Sequence, residues 1–399
     1  TDTARPSRSV GAIPSPAARP VEAACRHREM YYGPYRSRVV AFGILEAIRD
    51  DASGAHRYET IQCAYRRGTC SKRSMTDKQQ TLGQYKTPID VADLLLGFCL
   101  RKPSERILDP GCGEGSLLHR AADWLNWLAA TPSDILDDAL MGAELDLEAV
   151  TAARKRLPSA KIINENFLSL RPEVLKPVDI IIGNPPFTRS QRIGEVNPRV
   201  PRQLPMFHWD DAPPAVDKLP LISRQLAGSL SGRSGLHAYF LLHSEQFLRE
   251  GGRLGFVVPN GWLDVAYGAE LKQFLIDHFR ILAIIESTVE RWFPTAHVNT
   301  CLVVLEKCGV LQRRMANQVR LIRLKKPLEK LLPFQVEQRR RFLAVEQLVS
   351  QLGPVRPYTT TDFAVHIVPQ RDLHAGDKWG TALRAPTVYR HHRSHLFHM

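Results

Sequence analysis

Apolar residues recur at two spacings through the middle of the chain. After a Thr87-Pro88 start, positions 89–100 (IDVADLLLGFCL) carry apolar residues at helical spacing, which predicts a capped helix. RILDP (106–110) is a short apolar run entering a glycine-rich turn, the mark of a buried strand. Helix SLLHRAADWLNWLAA, strand LMGAE (140–144), helix LEAVTAARKRL, strand KIINEN (161–166) and strand VDIIIGN (178–184) follow. The pattern resumes with helix LHAYFLLHSEQFLRE, strand RLGFVVP (253–259), helix ELKQFLIDHF, strand ILAIIE (281–286) and strand VNTCLVVLEK (298–307). Apolar strands alternating with amphipathic helices predict an α/β fold with an open, doubly wound parallel sheet. No internal repeat is seen.

Two stretches break the pattern. Residues 188–235 hold many Arg, Pro and Gly residues with little periodicity, and a loop of that length inside a compact domain is usually functional or disordered. After about residue 310 the sheet pattern stops and basic stretches take over (RLIRLKKPLEK, QRRRF, YRHHRSHLFHM). At the other end, residues 1–27 are rich in Pro, Arg, Ser and Ala, residues 28–74 are poorly patterned, and Met75 opens a segment that reads like a natural start. The expected organisation is a poorly ordered extension over 1–74, a catalytic domain over 75–310, and a basic linker running into an incomplete region over 311–399.

Composition changes this picture in three ways. Hydrophobic residues at 44% supply a real core. The net charge of +13 and a pI near 9.6 suit a polyanionic partner. Seven cysteines without a C-x-x-C pair argue against a zinc site or a disulfide framework and fit a reducing cytoplasm. No apolar run approaches the roughly 20 residues of a membrane helix, and the N-terminus lacks a secretory apolar stretch.

Three motifs carry chemistry. Asp109-Pro110-Gly111-Cys112-Gly113-Glu114-Gly115 lies between a strand and a helix, where glycines let the backbone turn sharply and a ligand approach the main chain. It points to a nucleotide-like cofactor; a mere tight turn is the competing explanation. Glu144 ends the next strand, where an acid can accept both hydroxyls of a ribose, with Asp146 as the rival acid. Asn184-Pro185-Pro186-Phe187 follows the strand VDIIIG. Its two prolines fix the backbone and remove two N–H donors, so carbonyls there stay free to accept. The Asn184 amide oxygen and the Pro185 carbonyl can together hold an –NH2 group by both protons, aiming its lone pair at an electrophile. Phe187 offers a face for a planar base. His119, His237 and His297 read as surface or packing residues, and the chemistry needs no metal.

The combination DPGCGEG…NPPF, with GQYKTP upstream and FPTAHVNTCLVVLEK (293–307) downstream, resembles the adenine-N6 amino-methyltransferases of restriction-modification systems. The resemblance spans residues 82–307 and continues weakly toward 386. It implies a seven-stranded Rossmann-like methyltransferase sheet, S-adenosylmethionine as cofactor, and DNA as partner, with adenine flipped out of the duplex. It places Thr87 and Pro88 against the methionine part of the cofactor, and Asp109, Gly111 and Gly113 on its amino-acid end. Glu144 would take the ribose, and Asn166 and Phe167 would flank the cofactor adenine. Asn184 and Pro185 would grip the target amino group, Pro186 would stiffen the turn, and Phe187 would stack on the base. Phe293 is either a second stacking ring or a core aromatic. Asn166 stands where many of the resembling enzymes carry Asp, which puts the grip on the cofactor adenine in question. The W-G-x-x-L-R-A-P stretch near the end resembles the lead into a target-recognition domain, so the chain is expected to be truncated or split, with specificity either supplied by a separate specificity or recognition subunit or poor. Three rivals stay open: methylation of a glutamine amide in protein, methylation of guanine N2 in RNA, and an inactive remnant or DNA-binding subunit.

Overall fold

The computed structural model describes residues 85–187, 230, 234–296, 298–333 and 337–389. The expectations for residues 1–74, for nearly all of the 188–235 loop, for His297 and for the His-rich tail lie outside these residues.

The predicted elements form where the periodicity places them. Helix α1 (Ile89–Cys99) starts on Pro88, whose carbonyl accepts from Ala92 N at 2.9 Å. It is followed by β1 (Ile107–Asp109), α2 (Ser116–Leu128), β2 (Leu140–Glu144), α3 (Leu147–Arg156), β3 (Lys161–Asn164) and β4 (Val178–Gly183). Next come α4 (Leu236–Ser244), β5 (Leu248–Pro259), α5 (Ala269–His278), β6 (Phe279–Ser287) and β7 (Thr300–Lys307). The helix expected to run through LRE ends earlier. A 3-10 turn at Glu245–Phe247 releases the chain, and Leu248 pairs with Val178 to begin a long strand.

These strands belong to one sheet of order β3-β2-β1-β4-β5-β7-β6-β8-β10-β9. The α/β class holds, and two features differ from the expectation. First, the sheet is mixed: β7 runs antiparallel to both β5 and β6. It follows β6 through the 288–299 connection, which holds a 3-10 turn at Pro294–Ala296 and no α-helix among its described residues, and it pairs back on β6 in the opposite direction. Second, the sheet pattern does not stop at residue 310. Helix α6 (Leu311–Met315) leads to β8 (Gln318–Leu324), which pairs parallel with β6. After α7 (Leu328–Leu331) and α8 (Gln338–Leu352), β9 (Tyr358–Thr359) and β10 (Phe363–Pro369) extend the sheet by antiparallel pairing, and α9 (Trp379–Arg384) follows. Three strands are thus added to the seven expected.

Helices cover both faces, which explains the continuous apolar runs. In β7, Cys301, Val303 and Leu305 pack in the layer of α4, α5 and α9, whereas Leu302 and Val304 pack in the layer of α1, α2, α3 and α8. The second layer holds a buried ionic cluster. Asp93 of α1, fully buried, accepts from Arg120 Nε (2.6 Å) and Nη2 (3.0 Å), from Trp124 Nε1 (2.9 Å), and from Arg341 Nε of α8. The QRRRF stretch is therefore divided: Arg339 and Arg340 are exposed, while Arg341 is 4% exposed and ties α8 to Asp90 and Asp93.

Candidate transfer site

The three motifs converge at the carboxyl ends of β1, β2 and β4, the edge where open α/β sheets bind ligands. Each is brought there by a missing side chain. A β-carbon on Gly183 would lie 3.3 Å from Pro110 Cδ and 3.4 Å from Asp109 Oδ1, so glycine lets the end of β4 sit against the glycine loop. A β-carbon on Gly142 would lie 2.8 Å from Cys112 Sγ, so the loop also rests directly on β2. Gly115, with φ of 77°, turns the chain into α2 in the left-handed region that glycine occupies without strain.

The acids sit under this loop. Asp109 is 2% exposed and accepts from Gly111 N at 3.2 Å. Burial pushes its carboxyl up to about 7, with the backbone bond opposing the rise and the Glu144 charge adding to it. Glu144 Oε2 accepts from Gly113 N at 2.9 Å, and Oε1 accepts from Leu145 N (2.8 Å) and Asp146 N (2.9 Å). Burial raises its carboxyl despite these bonds. Asp146, the rival acid, is the N-cap of α3, its Oδ1 accepting from Glu148 N at 3.2 Å. Asn164 braces this strand end, donating to the carbonyls of Glu144 and Leu145 at 3.1 Å.

Asn166 and Phe167 have different surroundings. The Asn166 oxygen caps a 3-10 turn by accepting from Leu168 N at 3.1 Å, so the side chain's other polar group is a donor, its –NH2. Phe167 is 2% exposed, among Phe240 (5.3 Å between ring centroids), His243 (4.9 Å) and Phe247 (5.2 Å). Its ring is a core residue beneath the site rather than a displayed face. Thr87 and Pro88 are half-buried at the mouth of α1.

The Asn184 turn is held from the other side. Asn184 Nδ2 donates to the Tyr85 carbonyl at 2.7 Å, whereas Asn184 Oδ1 is buried with no partner. Pro185 is buried, and Pro186 and Phe187 are half-buried. Phe187 stacks on Tyr85 with centroids 5.5 Å apart and 27° between the planes. Phe293, 3% exposed, meets Phe187 edge-to-face at 5.3 Å and 89°, and Tyr85 at 6.3 Å. Phe293 is thus buried as a core aromatic and meets the Phe187 ring edge-on. Tyr85 is the residue that motif reading missed. Its position two residues before Thr87-Pro88 was the signal available, but nothing in the sequence says that its carbonyl reaches Asn184, 99 residues away.

Beside this cluster, a cleft of about 600 Å³ lies between the β6–β7 connection and α9, with Trp292, the neighbour of Phe293, on its wall. Its floor holds Arg384, which bonds Glu286 and Asp264, and Asn260, which donates to Glu286 at 2.8 Å.

The chain is similar to known proteins over the same region. Residues 140–293 match the Eco57I restriction-modification methylase family. Type II methyltransferase M.BanIII of Aneurinibacillus aneurinilyticus is 26% identical over 61% of this chain and 42% of its own length. M.BstVI of Geobacillus stearothermophilus is 26% identical over 51% of this chain and 37% of its own. The chain spans about two-fifths of the length of these relatives. In fold, a modification subunit of a putative type I restriction enzyme from Vibrio vulnificus superposes with a TM-score of 0.51 at 18% identity, over 80% of this chain and 62% of that one. A type I restriction-modification methyltransferase subunit from Streptococcus thermophilus gives 0.50 at 18% identity, over 72% and 56%. The similarity to restriction-modification methylases of the Eco57I type thus covers residues 140–293, which include β2, β4 and the Asn184 turn.

Proposed function

We propose that this protein transfers a methyl group from S-adenosylmethionine to the N6 amino group of adenine in DNA. One observation carries the reading: a buried, unpartnered amide oxygen on Asn184, whose amide nitrogen donates to the Tyr85 carbonyl, in a turn that also carries the Phe187 ring. Leaving such an acceptor dry and unpaired costs about 1–3 kcal/mol, which an incoming N–H would recover. Its neighbour Pro185 supplies a second carbonyl. An exocyclic –NH2 held by both oxygens turns its lone pair out of the ring plane, and Phe187 gives that ring a face to lie on.

The residues fit the cofactor. A β-carbon on Gly113 would meet nothing within 4 Å, so the main chain there is open to a ligand. Three of the roughly four acceptor positions of the Glu144 carboxylate are taken by backbone N–H groups, which leaves one for a ribose hydroxyl. Asp109, Gly111 and Gly113 would hold the amino-acid end, with Thr87 and Pro88 beside the methionine part and Asn166 at the adenine. When bound, the cofactor supplies an electrophilic methyl on a sulfonium. Asn184 and Pro185 would align the acceptor nitrogen, the methyl–sulfonium bond would break as the N–C bond forms, and one N6 proton would then be released to solvent. DNA as partner is supported by the net charge of +13 and by the relatives' description as type II methyltransferases. A separate specificity subunit or recognition module is part of the same proposal.

The test is methyl transfer from labelled S-adenosylmethionine to unmethylated DNA with nucleoside analysis, for wild type and Asn184→Ala. N6-methyladenine that vanishes in the variant supports the reading. Label in protein or RNA but not in DNA would move the acceptor to a glutamine amide or guanine N2. Cofactor binding without transfer to any acceptor would favour a remnant.

A further inference from the structure

Two facts about the transfer site do not fit an open pocket. The Asn184 oxygen that should grip the acceptor is inaccessible as well as unpartnered. One face of Phe187 is already taken: Tyr85 lies on it at 27°, and Phe293 meets the ring edge-on. Two rings that sandwich a base stand roughly 7 Å apart, whereas the Tyr85 and Phe187 centroids are 5.5 Å apart in an offset stack. No base fits between them without movement.

Resting on the function proposed above, we propose that Tyr85 is a positioning residue that keeps the acceptor pocket closed in the free protein. Its carbonyl holds the Asn184 amide nitrogen and so leaves the oxygen as the free acceptor. Its ring lies on the Phe187 face that the acceptor base takes, and the base displaces it. The two roles are separable, because substitution of the side chain leaves the carbonyl in place. Tyr85 stands ahead of α1, among residues 85–88, which have no regular secondary structure, so its ring can swing while α1 stays docked. The device protects the site, since a ring lying on Phe187 excludes water until a planar acceptor replaces it.

Displacing an aromatic pair of this kind lowers acceptor affinity by about two- to tenfold. The experiment compares wild type, Tyr85→Phe and Tyr85→Ala, with cofactor affinity and thermal stability measured alongside. The first probe is 2-aminopurine riboside, titrated to millimolar concentration with S-adenosylhomocysteine saturating the cofactor site, and stacking read by fluorescence quenching. The second is steady-state transfer to DNA from a host lacking adenine methylation, giving KM for DNA and kcat separately. Tyr85→Ala should bind the riboside about two- to tenfold more tightly and lower KM for DNA by a similar factor. Tyr85→Phe, which keeps the ring, should match wild type. A purely structural Tyr85 would change stability in the alanine variant without tightening either probe. Unchanged or weaker riboside binding in Tyr85→Ala, or no riboside binding to any variant, overturns the inference. Absence of transfer to DNA by wild type, with the riboside result intact, removes the DNA reading and leaves the closed pocket standing.

Discussion

Asp93→Asn is the substitution that should cost this fold most for the smallest change in shape. Four N–H donors converge on the Asp93 carboxylate, from Arg120 twice, Trp124 once and Arg341 once, and the carboxylate is fully buried. An amide accepts through one oxygen only and turns an –NH2 toward guanidinium groups, so one charge and about two bonds disappear while two cations stay buried. Breaking a buried ion pair costs about 3–5 kcal/mol. Arg120 keeps Asp123 and Arg341 keeps Asp90, both partly solvated, so the lower end applies, about 3 kcal/mol. At about 2–4 °C per kcal/mol for a domain of this class, the melting temperature should fall by about 6–12 °C. Urea titration followed by circular dichroism gives the free-energy change directly, and an unchanged slope would confirm that only stability moved. Replacing Asp93 by Leu together with Arg120 and Arg341 by Met should recover most of the loss, because an apolar set carries no desolvation penalty. A loss below about 1 kcal/mol for Asp93→Asn would refute the argument that these charges are dry.

The remaining predictions concern the site and its supports. Burial raises Asp109 to about 7 from 3.8, so between those values the folded state keeps a proton that the unfolded state has released, and stability falls as pH rises across that window. Asp109→Asn removes this dependence, and its stability relative to wild type should improve steadily from pH 4 to 7; a flat difference would contradict it. Gly142→Ala drives a β-carbon to within 2.8 Å of Cys112 Sγ and 3.0 Å of Ile162 Cδ1. Overpacking of this kind costs about 1–3 kcal/mol and should weaken cofactor binding by shifting the glycine loop, as calorimetry would show. Trp379 is 1% exposed, donates to the His374 carbonyl and packs on Trp262. Trp379→Ala should cost about 3–5 kcal/mol, and a surface-like change below 1 kcal/mol would show that α9 is not part of the fold.

What the sequence determined by itself was local. A 3.6-residue period and short apolar runs place α1, α2, α3 and α5 and the strands β1 to β4, because a helix face or a strand buried on both sides leaves its mark within a dozen residues. The glycines at 111 and 113, the acid at 144 and the Asn184 turn were likewise legible, because each requires a particular residue type at a strand end. The tertiary structure decided whatever depends on partners far along the chain. The direction of β7 follows from its connection and neighbours, and β8 to β10 join the sheet although their surroundings read as basic linker. Arg341 looks like surface charge until α8 brings it to two carboxylates on α1, about 250 residues away. That Asp146 caps a helix while Glu144 bonds the glycine loop is likewise a matter of the fold. The Tyr85 carbonyl fixes the Asn184 amide, and the Tyr85 ring shuts the Phe187 face, through contacts whose physics is ordinary but whose partners only the folded chain brings within reach.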